Sequence, residues 1–217
     1  MLVGERMSRP VISIPPQTRI QEALNLMKRE SIRRMPVIDQ QGRMVGIVSE
    51  RDLLHASPSD ATSLSIWELN YLLSKITVDD LMSREVMTVT EDTPVEIAAR
   101  VMADQKIGGM PVVRDGEVVG MITETDLFKI FLEILGARYA GVRLTATVLN
   151  IPGELAHITT AIHANGGNII SLSTALGEST ATGLVTLKVE GMGQEELKGL
   201  IEPLVEQIVD IRTTEAA

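Results

Sequence analysis

The sequence predicts a protein of mixed α/β and α+β class: two copies of a strand–helix–strand–strand–helix unit, then a smaller βαββαβ domain. Three observations carry this. The segment that begins at Met7 returns at Met82, an offset of 75 residues that marks an internal duplication. Within each copy, apolar residues at helical spacing alternate with short β-branched runs bounded by turn residues. From Val142 the duplication is over and a new alternation begins, so the chain divides into residues 1–75, 76–137 and 138–217.

The first strand of each copy is Val11-Ile12-Ser13-Ile14, matched by Val86-Met87-Thr88-Val89. A helix follows in both. Thr18 with Gln21, and Thr93 with Pro94 and Glu96, have the spacing of capping boxes, with Pro94 at the first helical position. Ala23, Leu24 and Met27 in one copy, and Ile97, Ala98, Val101 and Met102 in the other, make the apolar face. Met35-Pro36-Val37-Ile38 then matches Met110-Pro111-Val112-Val113, and each strand turns back, through Gln40-Gln41-Gly42 or Arg114-Asp115-Gly116. The returning strand runs into Gly46-Ile47-Val48-Ser49-Glu50-Arg51-Asp52-Leu53, which matches Gly120-Met121-Ile122-Thr123-Glu124-Thr125-Asp126-Leu127 at an offset of 74. The lost residue falls in the turn, where a duplicated fold tolerates it. Between the copies, residues 56–62 read as a loop and 64–75 as a helix packed around Trp67 and Tyr71.

Composition excludes several function classes. At 217 residues the chain can bury a core without staples, and with no cysteine it has no disulfide, no thiolate catalysis, no zinc finger and no iron–sulfur cluster. Lys and Arg number 20 against 29 Asp and Glu, a net charge of −9, opposite to the basic footprint of a nucleic-acid binder. Aromatic residues make up 2%, too few for platforms that stack bases. The start of the chain has no basic region leading into an apolar run, and no uncharged run approaches the ~18 residues that span a bilayer, so the expectation is a cytoplasmic protein with no membrane partner.

The repeated pattern Gly-apolar-apolar-Ser/Thr-x-x-Asp has two readings. Ser or Thr followed three residues later by an acid caps a helix. It also sets a carboxylate, able to accept from a sugar diol, beside a helix N-terminus that favours phosphate. On these residues the two copies resemble a tandem pair of CBS domains (cystathionine-beta-synthase-type repeats) over residues 1–135. The resemblance implies a regulatory ligand carrying an adenosyl group: AMP, ADP, ATP, NAD or S-adenosylmethionine, in clefts that combine both copies. It gives the ribose to Asp52 and Asp126 and the phosphates to Ser49 and Thr123. It lines the adenine with Ile12, Ile32 and Ile47 on one side and Met87, Ile107 and Met121 on the other. The copies differ in one respect: Arg33 and Arg34 precede the Met-Pro of the first, Gly108 and Gly109 that of the second. The family likeness makes Arg34 a phosphate contact, which renders the clefts inequivalent; the alternative is a solvated arginine pair.

Residues 142–148 alternate as a half-buried strand, Asn150-Ile151-Pro152-Gly153 turns the chain into a helix over 154–165, and Gly166-Gly167 stops it. Strands at 168–176 and 183–189, a helix over 194–206 and a strand at 208–212 complete a ferredoxin-like order. Asn150-Ile151-Pro152-Gly153-Glu154-Leu155 and Gly166-Gly167-Asn168-Ile169 resemble an ACT domain, a regulatory unit of amino-acid metabolism. That likeness implies an amino-acid site at Asn150, Gly153, Leu155, Asn168 and Ile169, or a purely dimerising role. Asn150 stands where that family most often has aspartate. The order CBS, CBS, ACT is similar to that of acetoin-utilisation accessory proteins, and Trp67-Glu68-Leu69-Asn70-Tyr71-Leu72-Leu73 adds to the likeness.

Catalysis is disfavoured. His55, His157 and His163 are scattered, none beside a nucleophile elbow; His157 and His163 lie six apart, the wrong spacing for a shared metal. No phosphate-binding Gly-x-x-x-x-Gly-Lys-Ser/Thr loop or Gly-x-Gly-x-x-Gly is present. The reading is a homodimeric regulatory sensor without catalytic cofactor or metal, acting on a metabolic enzyme; the alternatives are a scaffold with vestigial clefts and, third, an enzyme of unrecognised type.

Overall fold

The computed structural model describes residues 1–55 and 75–216. The loop and helix expected over 56–74 lie outside the described residues. The chain forms two compact units, Met1–Leu127 and Phe128–Ala217.

In the first unit each copy is a helix packed on a short sheet. Helix α1 (Val3–Arg6) precedes the first copy, which comprises α2 (Ile20–Glu30), β1 (Arg34–Ile38), β2 (Met44–Ser49) and α3 (Glu50–His55). Helix α4 (Val78–Leu81) precedes the second, with β3 (Val89–Thr90), α5 (Val95–Gln105), β4 (Gly109–Arg114), β5 (Glu117–Thr123) and the start of α6 (Glu124–Ile134), whose residues from Phe128 on belong to the second unit. β1–β2 and β4–β5 are antiparallel hairpins, and β3 runs parallel to β4 as Ile14 does to Val37. The Asp115-Gly116 turn has both residues at positive φ, the geometry that matches the twist of a two-residue hairpin.

The helices form where their apolar spacing predicts, but their starts differ. Neither α2 nor α5 has a side-chain cap: the N-caps are Arg19 and Pro94. Thr93 turns its hydroxyl back to accept from the Thr90 backbone N at 3.2 Å, so the expected capping box with Glu96 is not made and Pro94 stands one position outside the helix. Both helices end alike, with Ser31 and Lys106 in the left-handed conformation, where their N–H groups satisfy the last-turn carbonyls.

The lead-in segments are exchanged between the copies. Val3 N donates to Thr93 O and Gly4 N to Glu91 O, while Ser8 and Met121 trade both main-chain bonds, at 2.8 and 3.2 Å. Correspondingly Val78 N donates to Thr18 O, Asp79 N to Pro16 O, and Ile47 and Ser83 trade bonds at 2.9 Å. Residues 1–8 therefore belong to the second copy and 76–83 to the first. The first-copy core contains Val78 and Met82 beside Ala23, Met27, Met35, Val37, Val48 and Leu53. Burying such a side chain contributes roughly 1.5–3 kcal/mol, so the exchange is held by apolar burial as well as by hydrogen bonds.

The second unit has the strands β6 (Gly141–Leu149), β7 (Asn168–Leu176), β8 (Thr182–Glu190) and β9 (Gln207–Thr214), with helices α7 (Glu154–Ala164) and α8 (Gln194–Ile201). The order β7-β8-β6-β9, antiparallel throughout, is the ferredoxin-like arrangement. Ile158 and Ile162 of α7 and Leu197 and Ile201 of α8 bury against Val142, Leu144, Ala146, Val185, Leu187 and Val189, all on one sheet face. α8 ends at Ile201, five residues before its predicted end, and tightens into a 3-10 turn at Glu202–Leu204, because Pro203 has no N–H to continue the ladder.

Candidate functional site

The two Gly-x-x-Ser/Thr-x-x-Asp elements fold alike. Each crosses from the second hairpin strand into a helix, and in each the aspartate reaches back three residues. Asp52 Oδ2 accepts from Ser49 N at 2.8 Å and from Ser49 Oγ at 2.7 Å; Asp126 Oδ2 accepts from Thr123 N at 3.0 Å and Thr123 Oγ1 at 2.7 Å. Asp52 N also donates to Ser49 Oγ at 3.2 Å, completing a capping box. Both hydroxyl protons are thus given to carboxylates. The two sites differ in access: Asp52 is half-buried and Asp126 is 6% exposed.

The motif glycines are required by the exchanged segments. A Cβ on Gly46 would strike the Met82 thioether and the Ser83 carbonyl, and one on Gly120 would strike Met7. Met7 and Met82 correspond at the repeat offset, but the sequence does not say that each packs on the opposite copy; this pair was missed for that reason.

The hairpin register assembles the first-copy residues. Arg34 stands opposite Ser49, and Pro36 opposite Ile47, so Arg34, Ser49 and Ile47 share a face of β1–β2 with Asp52 just beyond. Gly109 takes the place of Arg34 opposite Thr123. Arg34 does not lie solvated on a loop. It is half-buried, its Nη1 donates to Gly108 O at 3.0 Å, and its guanidinium lies where a Cβ on Gly108 would be. The same carbonyl accepts from Glu124 N at 3.2 Å, as Arg33 O accepts from Glu50 N at 2.9 Å. Arg33 itself is exposed. Arg34 thus joins the copies, and the glycine asymmetry is its counterpart.

The apolar candidates are unequal. Ile12 and Ile32 are half-buried against the first-copy core, and Ile47 and Ile107 are half-buried. Met87 is 45% exposed, whereas Met121 is 7% exposed with its backbone paired to Ser8. In the second unit the five expected residues do not meet. Asn150 and Leu155 line a hollow of about 530 Å³ with Ile151, Glu154 and Leu176, and Gly153, at φ +102, caps α7 beside it. Asn150 Nδ2 donates to Thr180 O at 3.0 Å. Asn168 and Ile169 pair with Glu190 and Val189 at the opposite end of the sheet from Leu149 and Thr182. His157 and His163 are exposed on α7, and among the described residues no cluster of three metal-ligating side chains occurs. No helix among them is long and apolar enough to cross a membrane.

This geometry, two repeats clasped through exchanged segments with a hydroxyl–aspartate element at the same place in each, defines a class of tandem-repeat protein. A family model for the CBS domain matches residues 3–59 and 78–133, and the chain belongs to the CBS-domain family as a tandem pair. It is 31% identical over 136 residues to a CBS domain-containing protein of Dictyostelium discoideum, covering 62% of this chain and 94% of that one. It is also 31% identical to L-aspartate semialdehyde sulfurtransferase of Methanocaldococcus jannaschii, covering 60% of this chain but 23% of that protein, so only a CBS-sized portion of that enzyme is matched. Among solved structures, the CBS domain pair of protein MJ0100 in complex with 5′-methylthioadenosine and S-adenosyl-L-methionine matches with 31% identity and a TM-score of 0.51, over 60% of this chain and 95% of that one. CBSX2 in complex with AMP matches with 32% identity and a TM-score of 0.50, over 61% and 97%.

Proposed function

We propose that the first unit is a regulatory sensor that binds an adenosyl ligand, AMP, ADP, ATP, NAD or S-adenosylmethionine, at the junction of its two repeats. The observation that carries this is the doubled hydroxyl–aspartate element, oriented identically in both copies. The hydrogen bonds from Ser49 and Thr123 fix the carboxylates of Asp52 and Asp126, which would take the ribose hydroxyls. The phosphate falls to Arg34, which shares a face with Ser49 and Ile47, so an anionic ligand favours the first-copy side. The complexes of MJ0100 and CBSX2 with adenosine-containing ligands support the reading. The second unit, with its ferredoxin-like order and the Asn150 hollow, is read as an ACT domain that senses an amino acid or joins two chains, and domain order links the whole to acetoin utilisation.

The second reading is a scaffold with vestigial clefts. What favours it is that each element is already satisfied as a helix cap, and that Asp126 is almost fully buried. Isothermal titration with AMP, ATP, NAD and S-adenosylmethionine separates the two. A sensor binds at least one, and Asp52→Ala weakens it by roughly 10- to 150-fold, the 1.5–3 kcal/mol of a hydrogen bond to a charged group. Heatless titrations with all four leave the scaffold.

A further inference from the structure

A row of three cations crosses the face of the C-terminal sheet opposite its helices. Arg143 of β6 stands directly opposite Lys188 of β8 on one side and Arg212 of β9 on the other. Like charges in that relation oppose strand pairing. One carboxylate, Asp210, accepts from Arg143 at 2.8 Å and from Arg212 at 3.0 Å, which leaves two positive charges in surplus on a chain whose net charge is −9. Lys188 is the cation least accounted for. It is 4% exposed, and its Nζ donates to the carbonyls of Gly136 and Tyr139 at 2.8 Å each. Those dipoles hold the ammonium but do not neutralise it, and among the described residues it has no carboxylate partner. A buried charge without a counter-charge is costly.

A hollow of about 220 Å³ opens against this row. Its floor is Lys188, Arg143, Thr186, Ser171 and Ser173, and its wall includes Phe131. The register sets Ser171 beside Lys188 and Ser173 beside Thr186. Among the described residues the two serine hydroxyls have no hydrogen-bond partner, so their donors remain to be used. We propose that the hollow binds a small organic acid, with its carboxylate on Lys188, Arg143 and the two serine hydroxyls and its apolar body against Phe131. At ~30 Å³ for each water-sized volume, the hollow of about 220 Å³ holds roughly seven non-hydrogen atoms, enough for a carboxylate and the near part of a ring. Cations and hydroxyls alone would suit any oxyanion; the aromatic wall is what selects an acid with an apolar body.

The test is thermal unfolding and titration of the full chain with phenylacetate, with inorganic phosphate and with sodium chloride, all at one ionic strength. Phenylacetate should raise the transition of the C-terminal unit by roughly 10–20 °C at a hundredfold excess over its Kd. Chloride should not, and phosphate should do so less. Lys188→Met should lose the response. Ser173→Ala, which removes one half-buried hydroxyl outside the apolar core, should weaken phenylacetate about tenfold, and it decides the question should Lys188→Met not fold. A phenylacetate response no larger than that of chloride overturns the proposal, as does one that survives in Lys188→Met or is matched by phosphate.

Discussion

Gly46 and Gly120 serve close packing, since neither has positive φ and each has a thioether lying over its α-carbon. Gly46→Ala and Gly120→Ala should each cost about 1–3 kcal/mol in urea unfolding, the range for overpacking a filled site. Pairing Gly46→Ala with Met82→Ala should be less than additive, whereas pairing it with Met7→Ala should be additive, because Met82 lies over Gly46 and Met7 over Gly120. Additivity in the first pair would remove the contact as the reason for the glycine. Much of the candidate site was legible at this scale, since Ser49 to Asp52 is a local spacing that the helix start brings together. The methionines were not. Their positions repeat, but the bonds that carry them across, such as Ser8 to Met121, are main-chain bonds to which side-chain pattern is blind. Spacing reveals that Ser49 and Asp52 meet, not which way the hydroxyl proton points.

Most helices and the hairpin strands were legible from periodicity to within a few residues, because apolar spacing records burial; the strand expected at Val11–Ile14 is reduced to one bridge at Ile14, and Ile97, expected on the apolar face of α5, is exposed. Their ends were less so. Capping depends on one rotamer, and the Thr93 hydroxyl is held by the preceding turn; at the far end of α8, Pro203 decides, a residue the apolar spacing passed over. The C-termini of α2 and α5 offer a direct check. Ser31 and Lys106 occupy equivalent positions at φ 55° and 54°, which costs a side-chain-bearing residue about 1 kcal/mol and glycine almost nothing. Ser31→Gly and Lys106→Gly should therefore stabilise, by up to about 1 kcal/mol each in the urea midpoint; loss of stability in both would contradict this account of the caps.

For the first unit as a whole, exchange of the lead-in segments is the organising fact, and one carboxylate makes it sensitive to acid. Glu91 sits between Arg114 of β4, whose Nη2 donates at 2.8 Å, and Arg9 of the N-terminal segment. The hydrogen bond and charge of Arg114, then the charge of Arg9, hold the Glu91 carboxyl below its ordinary value of 4.5. A depressed folded-state value means that the contribution to stability is complete above pH 4.5 and is lost as pH falls through the folded-state value. Glu91→Gln should thus be less stable than the parent at neutral pH and show a flatter decline in melting temperature below pH 4.5; parallel curves would exclude Glu91 as a source of the acid sensitivity. The cation row of the second unit belongs to this scale also, since Arg143, Lys188 and Arg212 become neighbours only once the strand order and register are known. A further consequence follows from the trade of arms. Two separate single-copy chains, each lending its leading residues to the other, would reproduce the same exchange of main-chain bonds. The duplicated gene encodes in one polypeptide what is, geometrically, an arm-swapped dimer.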